Sequence, residues 1–115
     1  MKDIERVISV NGVEYPLVFN LNVMEAILDE YKTIERWGSL TDGSKGEPNA
    51  KAVIFGFTQM INEGLDIWND KDGKNRQMLT TRKVGRIITQ YGLLNATKAM
   101  NDTVVDSTKS NEKNA

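Results

Sequence analysis

The side chains in this sequence that could do chemistry are mainly carboxylates and amines, because its 115 residues include neither cysteine nor histidine. The absence of cysteine excludes thiolate nucleophiles, disulfides and zinc-thiolate sites. The absence of histidine leaves no side chain that titrates near neutrality at its ordinary pKa, so acid–base catalysis would require a strongly shifted carboxylate or lysine. The commonest catalytic groups are therefore excluded by composition.

A calcium loop is the first arrangement of carboxylates to consider. Asp70, Asp72 and Gly73 resemble the centre of such a loop, in which acids precede a glycine at the sixth position. With Gly73 at that position, Trp68 falls at the first position and Leu79 at the twelfth, and neither is a ligand. Two aspartates alone bind a cation weakly, so we interpret the segment as a polar turn and predict no metal site.

Two further patterns also lack the features of a site. The carboxylates of Asp29 with Glu30, and of Glu63 with Asp66, have no neighbour that would raise a pKa, and adjacent helical residues point in different directions. Residues 38–47 contain three glycines, but not in the order of a phosphate-binding loop, and no predicted strand leads directly into them. We therefore predict no catalytic residue, no cofactor and no small-molecule substrate.

Basic residues near Gly92, which separates two helical patterns, suggest a helix-turn-helix motif. The second helix of that motif needs apolar residues about six and nine positions after the glycine, where this chain has Lys98 and Asn101. The net charge of −1 also lacks the basic excess that binding to phosphates requires. A small DNA-binding regulator is thus an alternative, and nucleic acid is not the expected partner.

The N-terminal segment has the strongest local structural signal. Two runs rich in β-branched and aromatic residues, Glu5–Val10 and Val13–Phe19, are joined by Asn11-Gly12. Asn-Gly favours the positive φ angles of a two-residue hairpin turn, so an antiparallel β-hairpin is predicted. Pro16 cannot donate a hydrogen bond within the sheet, which places its strand at an edge or turns that position to solvent.

Two amphipathic helices are predicted next. Asn22 and Glu25 suggest the cap of a first helix, which should end near Trp37-Gly38 and be followed by a flexible loop at 38–47. Pro48 begins a second helix that closes at Gly64, and Gly56 allows another segment to approach it closely. The apolar positions are Met24, Ile27, Leu28, Tyr31 and Ile34 in the first helix and Ala50, Val53, Ile54, Phe57, Met60 and Ile61 in the second.

The remaining residues complete an α+β prediction of a hairpin packed on three to four helices. A second short hairpin is expected near residues 65–79, turning at Asp72-Gly73. A third helix starts at Thr81, Gly92 ends it, and a last short helix follows. Residues 1–106 should form a single compact domain, and the polar residues 107–115 a disordered tail.

Candidate partner-binding residues are two tryptophans and three cations. Trp37 and Trp68 lie at predicted element ends, where a partly exposed aromatic side chain can anchor a partner, although a core role is equally compatible. Arg82, Lys83 and Arg86 fall on one exposed helical turn, because Val84, Ile87 and Ile88 take the buried face. These cations would steer acidic partner residues.

Three segments resemble one protein family. They are Ile8–Asn22 leading into an amphipathic helix, the run Ile61-Asn62-Glu63-Gly64, and Leu79–Ile88 before a terminal helix. In this order they resemble the tail assembly chaperones of long-tailed phages and of prophages in Gram-positive bacteria. The resemblance covers most of residues 5–106, and its motifs are structural.

The resemblance implies a non-catalytic factor of the host bacterial cytoplasm. Such chaperones bind the tape measure protein, keep it soluble, help recruit the tail tube protein, and leave before the virion is finished. A homo-oligomer is compatible with this role. Neither a secretory signal nor a long apolar segment is apparent, so no membrane partner is expected. The alternative within the same setting is a structural minor tail or tail completion protein.

Overall fold

The N-terminal hairpin is confirmed in the computed structural model, which describes residues 4–113. Strands β1 (Ile4–Val10) and β2 (Val13–Phe19) pair antiparallel from Val10 opposite Val13 to Ile4 opposite Phe19. Asn11 and Gly12 have φ angles of 51° and 78°, the positive values that this two-residue turn requires. Both strands of a two-stranded sheet are edge strands, so Pro16 takes the position predicted for it.

Within the described residues the hairpin is followed by five helices, one more than the highest number expected. The predicted α+β class is confirmed. The helices are α1 (Leu21–Tyr31), α2 (Ile34–Thr41), α3 (Ala50–Asp72), α4 (Thr81–Tyr91) and α5 (Leu93–Lys113).

The first predicted helix is two helices. Asn20, not Asn22, caps α1, and its side-chain oxygen accepts a hydrogen bond from the Val23 amide at 3.2 Å. Lys32 has a φ of 76° and ends α1, and the Thr33 hydroxyl then caps α2 by accepting from the Arg36 amide at 3.0 Å. A continuous helix was wrong because a second capping residue follows the first apolar stripe.

The second predicted helix does not close at Gly64. α3 continues to Asp72 and is capped by Gly73 in the left-handed conformation, with a φ of 72°. Gly64 instead provides space for Pro16, because a Cβ at Gly64 would lie 2.6 Å from the proline Cβ and Cγ. The glycine is required for contact between α3 and β2.

The predicted second hairpin near residues 65–79 is wrong, because its first half belongs to α3. The segment 73–80 is neither helix nor strand, and asparagine side chains of α3 form hydrogen bonds with its backbone. Asn62 donates to the Leu79 carbonyl at 2.9 Å and accepts from the Leu79 amide at 2.8 Å, and Asn69 bonds the backbone of Arg76 in the same way, both at 3.0 Å. Side-chain amides thus take the place of a partner strand.

The C-terminal helix is longer than expected, and two predicted flexible segments are correspondingly shorter. Residues 107–113 belong to α5 instead of a disordered tail, and the rest of that predicted tail, 114–115, lies outside the described residues. The buried Ser107 hydroxyl donates to the Phe19 carbonyl at 2.9 Å. At the other predicted loop, residues 38–41 are helical, so the α2–α3 connection spans 42–49.

The core lies where α3 and α5 meet the hairpin. β2 packs against α3, while α5 contacts both strands, and α4 packs against α3 and α5. Gly92, with a φ of 102°, separates α4 from α5 as predicted. The largest fully buried side chains are Leu17, Val18, Phe19, Val23, Ile27, Trp37, Val53, Phe57, Met60, Ile61, Val84 and Met100.

Candidate protein-binding surfaces

Trp37 is a core residue and not an exposed anchor. It lies inside α2 and is only 1% exposed, and its Nε1 donates to the Ala52 carbonyl at 3.1 Å. Its ring lies directly over Gly56, where an added Cβ would stand 2.3 Å from Cζ2. The predicted partner-binding role of Trp37 is wrong, whereas the predicted close approach at Gly56 is confirmed.

Trp68 is half-buried and is held by polar neighbours at the end of α3. Its Nε1 donates to the Glu5 carboxylate, and the Arg76 guanidinium lies over the ring, 5.3 Å from the centroid. Arg76 also bonds Asp72, with Nη2 and Oδ2 2.7 Å apart. The hydrogen bonds that Asp72 accepts from Arg76 and from the Lys74 amide lower its pKa from 3.8 to about 2. The Trp68 ring therefore joins the hairpin to Arg76 of the 73–80 segment.

Arg82, Lys83 and Arg86 lie on the exposed side of α4, which we call the basic surface. The buried side of this helix consists of Val84, Ile87 and Ile88. In the described part of the chain, none of the three cations forms an ion pair. Arg82 and Lys83 belong to the first turn of α4, where the helix dipole disfavours positive charge. This charge does not stabilise the helix.

An apolar surface on α1 is the feature that sequence reasoning missed. Leu21 is 69% exposed and Leu28 38% exposed, and Met24 lies half-buried between them. With the exposed carboxylates of Glu25 and Asp29 they line a shallow open groove. We call these five residues the α1 surface. Met24 and Leu28 are on the predicted apolar side of the first helix, but Val23 and Ile27 take the buried positions.

A second, more polar groove adjoins the start of α1. Asn22 and Val23 line it together with Glu63 and Asp66 of α3 and the half-exposed Met78. The Glu63 carboxylate accepts hydrogen bonds from the side-chain amides of Asn20, at 2.7 Å, and Asn22, at 3.0 Å. Acidic groups therefore continue from the α1 surface onto α3.

The α1 surface and the basic surface belong to different parts of the fold. α1 packs against α2, α3 and β2, whereas α4 packs against α3, α5 and β1. The five residues predicted to bind a partner are therefore not brought together in one site, since Trp37 is buried and Trp68 lies at the end of α3.

Other classes of site would need a cluster of metal ligands or a membrane-spanning helix. The described residues contain no group of three or more carboxylate, histidine or cysteine residues placed to hold a metal ion. No helix among them is both long and apolar enough to cross a membrane. Comparison of the chain with family models, curated proteins and solved structures finds no match. The candidate surfaces are therefore defined by the exposure and charge of their side chains and by their position in the fold.

Proposed function

We propose that this protein is a phage tail assembly chaperone. It binds amphipathic helix of the tape measure protein, keeps that protein in solution in the host cytoplasm, helps recruit tail tube subunits, and is absent from the finished virion. The resemblance of residues 8–22, 61–64 and 79–88 to that family supports the proposal. A β-hairpin followed directly by an amphipathic helix agrees with the order of elements that the resemblance implies.

The observation that carries the proposal is the α1 surface. An apolar patch bordered by polar residues is typical of protein interaction sites. Here Leu21, Met24 and Leu28 repeat at helical spacing on one element. Because α1 is capped and packed on three other elements, binding requires no folding of this surface.

The physical task of a tape measure chaperone agrees with such a surface. Before tube subunits enclose it, a long amphipathic helix exposes apolar stripes that favour aggregation. A small domain can cover a short part of that stripe by helix-in-groove binding, and a methionine adapts to varied partner side chains. Since the α1 surface is small, each contact is weak, and many copies shield the helix reversibly.

Co-expression with the long helical protein encoded nearby tests this function. We expect that protein to be soluble and to co-purify with this chain, and we expect this chain to be absent from purified particles. Equal solubility of the long protein in its absence, or failure to co-purify, would contradict the proposal. Retention in purified particles would favour a structural tail component, and DNA binding that weakens steeply with salt would favour a regulator.

A further inference from the structure

The charges of α1 oppose its own stability as a helix. It contains Glu25, Asp29 and Glu30 and no lysine or arginine. Asp29 and Glu30 lie in the last turn, at the negative end of the helix dipole. Glu25 and Asp29 are four residues apart, a spacing at which like charges repel. Neither arrangement favours the folded helix, so these carboxylates have no evident structural role.

No cation within the described residues forms an ion pair with the α1 carboxylates. The ion pairs there join Arg6 to Asp106, Arg76 to Asp72 and Lys98 to Asp102. Burial, and to a lesser degree the nearby Glu30 charge, raises the pKa of Tyr31 at the end of α1. Glu63 and Asp66 extend the acidic region in the adjoining groove. The apolar stripe of the α1 surface thus has an edge of negative charge without an ion-pair partner among the described residues.

We infer that the α1 surface binds an amphipathic helix of a partner protein that has lysine or arginine along one edge of its apolar stripe. Leu21, Met24 and Leu28 span two helical turns, about 10 Å, and match partner side chains at i, i+3 or i+4, and i+7. The apolar contacts supply affinity, and Glu25 and Asp29 fix the direction of the helix. Only the identification of this partner with the tape measure protein rests on the proposed function.

A second copy of this chain is a poorer occupant of the α1 surface. The basic surface of α4 has suitable charge, but the large exposed apolar side chains of the described residues lie on other elements, so α4 could not cover Leu21. The N-terminal part of α5 exposes Leu94 near Lys98, but that lysine is already paired with Asp102 at 2.9 Å. Apolar contact and free positive charge therefore do not coincide on α4 or on the N-terminal part of α5.

Two synthetic helical peptides test the inference on the unmodified chain. Both have leucine at i, i+3, i+4 and i+7, flanked by lysine in one and by glutamate in the other. Titration monitored by amide NMR should give shifts centred on α1 with the lysine peptide, and at least about tenfold weaker binding of the glutamate peptide at low salt. Equal affinity for the two peptides, no binding, or shifts centred on α4 or α5 would overturn the inference.

Matched variants separate the contribution of apolar contacts to peptide binding from the contribution of charge. Leu21→Ser with Leu28→Ser should weaken lysine-peptide binding at least about tenfold, because apolar area is lost. Leu94→Ser is the control, since Leu94 is 73% exposed against 69% for Leu21, and binding should remain unchanged. Glu25→Lys with Asp29→Lys should reverse the preference between the two peptides. An unchanged preference would contradict the role assigned to Glu25 and Asp29. Shifts in α1 that depend on protein concentration alone would identify a second copy as occupant.

The same variants separate this inference from the proposed function. If the peptides bind as expected but the tape measure protein is equally insoluble with and without this chain, the proposed function fails and the inference stands. If the unmodified chain does not bind the lysine peptide, and the Leu21→Ser, Leu28→Ser variant keeps the tape measure protein soluble as well as the unmodified chain does, the inference fails and the function stands. Circular dichroism confirms that each variant is folded.

Discussion

Gly56 determines how closely α2 and α3 can pack. An added Cβ would lie 2.3, 2.9 and 3.0 Å from Cζ2, Cε2 and Nε1 of Trp37. The indole is fully enclosed, so it cannot move without losing its bond to Ala52. We expect Gly56→Ala to lower the free energy of unfolding by about 1 to 3 kcal/mol, measured by chemical denaturation.

Gly85 is the matched control for Gly56, because it also lies inside a helix. An added Cβ there would meet only Ile54 Cδ1, at an ordinary 3.6 Å. Gly85→Ala should therefore raise the free energy of unfolding, by up to about 1 kcal/mol, through improved helix propensity. The same sign for both substitutions would show that the contact with Trp37 does not limit packing.

The Asp72 carboxyl tests the polar cluster at the end of α3. Its pKa of about 2 results first from Arg76 and then from the Lys74 amide. Since the folded value is below the ordinary one, this interaction favours folding above pH ~4 and is lost as the pH falls towards 2. In Arg76→Ala, carboxyl NMR should show the pKa rising towards 3.8 but staying below it, because the Lys74 amide still donates.

Asp42 serves as an internal control for that titration. Its pKa is lowered by hydrogen bonds from Ser44 and does not involve Arg76. The Asp42 titration should therefore be the same in Arg76→Ala as in the unmodified chain. An unchanged Asp72 pKa in this variant would mean that Arg76 does not hold the carboxylate.

At the scale of elements, two hydroxyl groups and one ion pair add to the apolar packing of α5 against the hairpin. Ser107 bonds the Phe19 carbonyl, and Arg6 bonds Thr103 at 3.2 Å and Asp106 at 2.6 Å. Ser107→Ala leaves a buried carbonyl short of this donor and should lower the free energy of unfolding by about 1 kcal/mol. Thr89→Ala, which removes an exposed hydroxyl bonded to Gly85, should change it by less than about 0.5 kcal/mol. Equal effects would mean that α5 is not held by the Ser107 contact.

The basic surface of α4 is a second element with a testable role. Arg82→Glu with Arg86→Glu should slow association with acidic segments of the tape measure protein, which are distinct from the lysine- or arginine-edged helix of the α1 surface. The salt dependence of the association rate, measured by stopped-flow mixing, should also fall. Because Arg82 lies in the first turn of α4, the fold should be unaffected or slightly more stable. Lys45→Glu with Lys51→Glu makes the same change in net charge at exposed positions and should leave the rate unchanged. Equal slowing by both pairs would indicate a general charge effect.

The elements that could be predicted from sequence are those fixed by local signals. Asn11-Gly12 determined the hairpin, and the spacing of Val84, Ile87 and Ile88 identified both faces of α4. The 73–80 segment could not be predicted, because its backbone is held by hydrogen bonds to the side chains of Asn62 and Asn69, which no local sequence pattern indicates. The end of α5 was missed because its polar sequence suggested disorder, although Ser107 is buried.

The candidate site was predictable only in part, for a related reason. Helical periodicity places Met24, Ile27 and Leu28 on one broad side of α1, but it does not specify how much of that side other elements cover. In the structure, other elements bury Val23 and Ile27 but leave Leu28 and Leu21 exposed. Similarly, Trp37 was expected near a helix end, and only tertiary packing places it over Gly56.

For the whole molecule, the two charged surfaces share one property. α1 has acids at its negative end and α4 has bases at its positive end, so each departs from the charge that would stabilise its helix. Departures from local stability rules are typical of functional sites. A radius of gyration of 13.6 Å is that of a compact domain of this length, so both surfaces lie on one small scaffold.

The central claim is that this protein keeps a tape measure helix in solution, and light scattering tests it most directly. Purified tape measure protein is diluted from denaturant into buffer with increasing amounts of this chain. We predict that scattering falls in proportion to added chain until the helix is covered, and that Leu94→Ser suppresses it equally well while Leu21→Ser with Leu28→Ser does not. Scattering that is the same with and without the unmodified chain would contradict the claim.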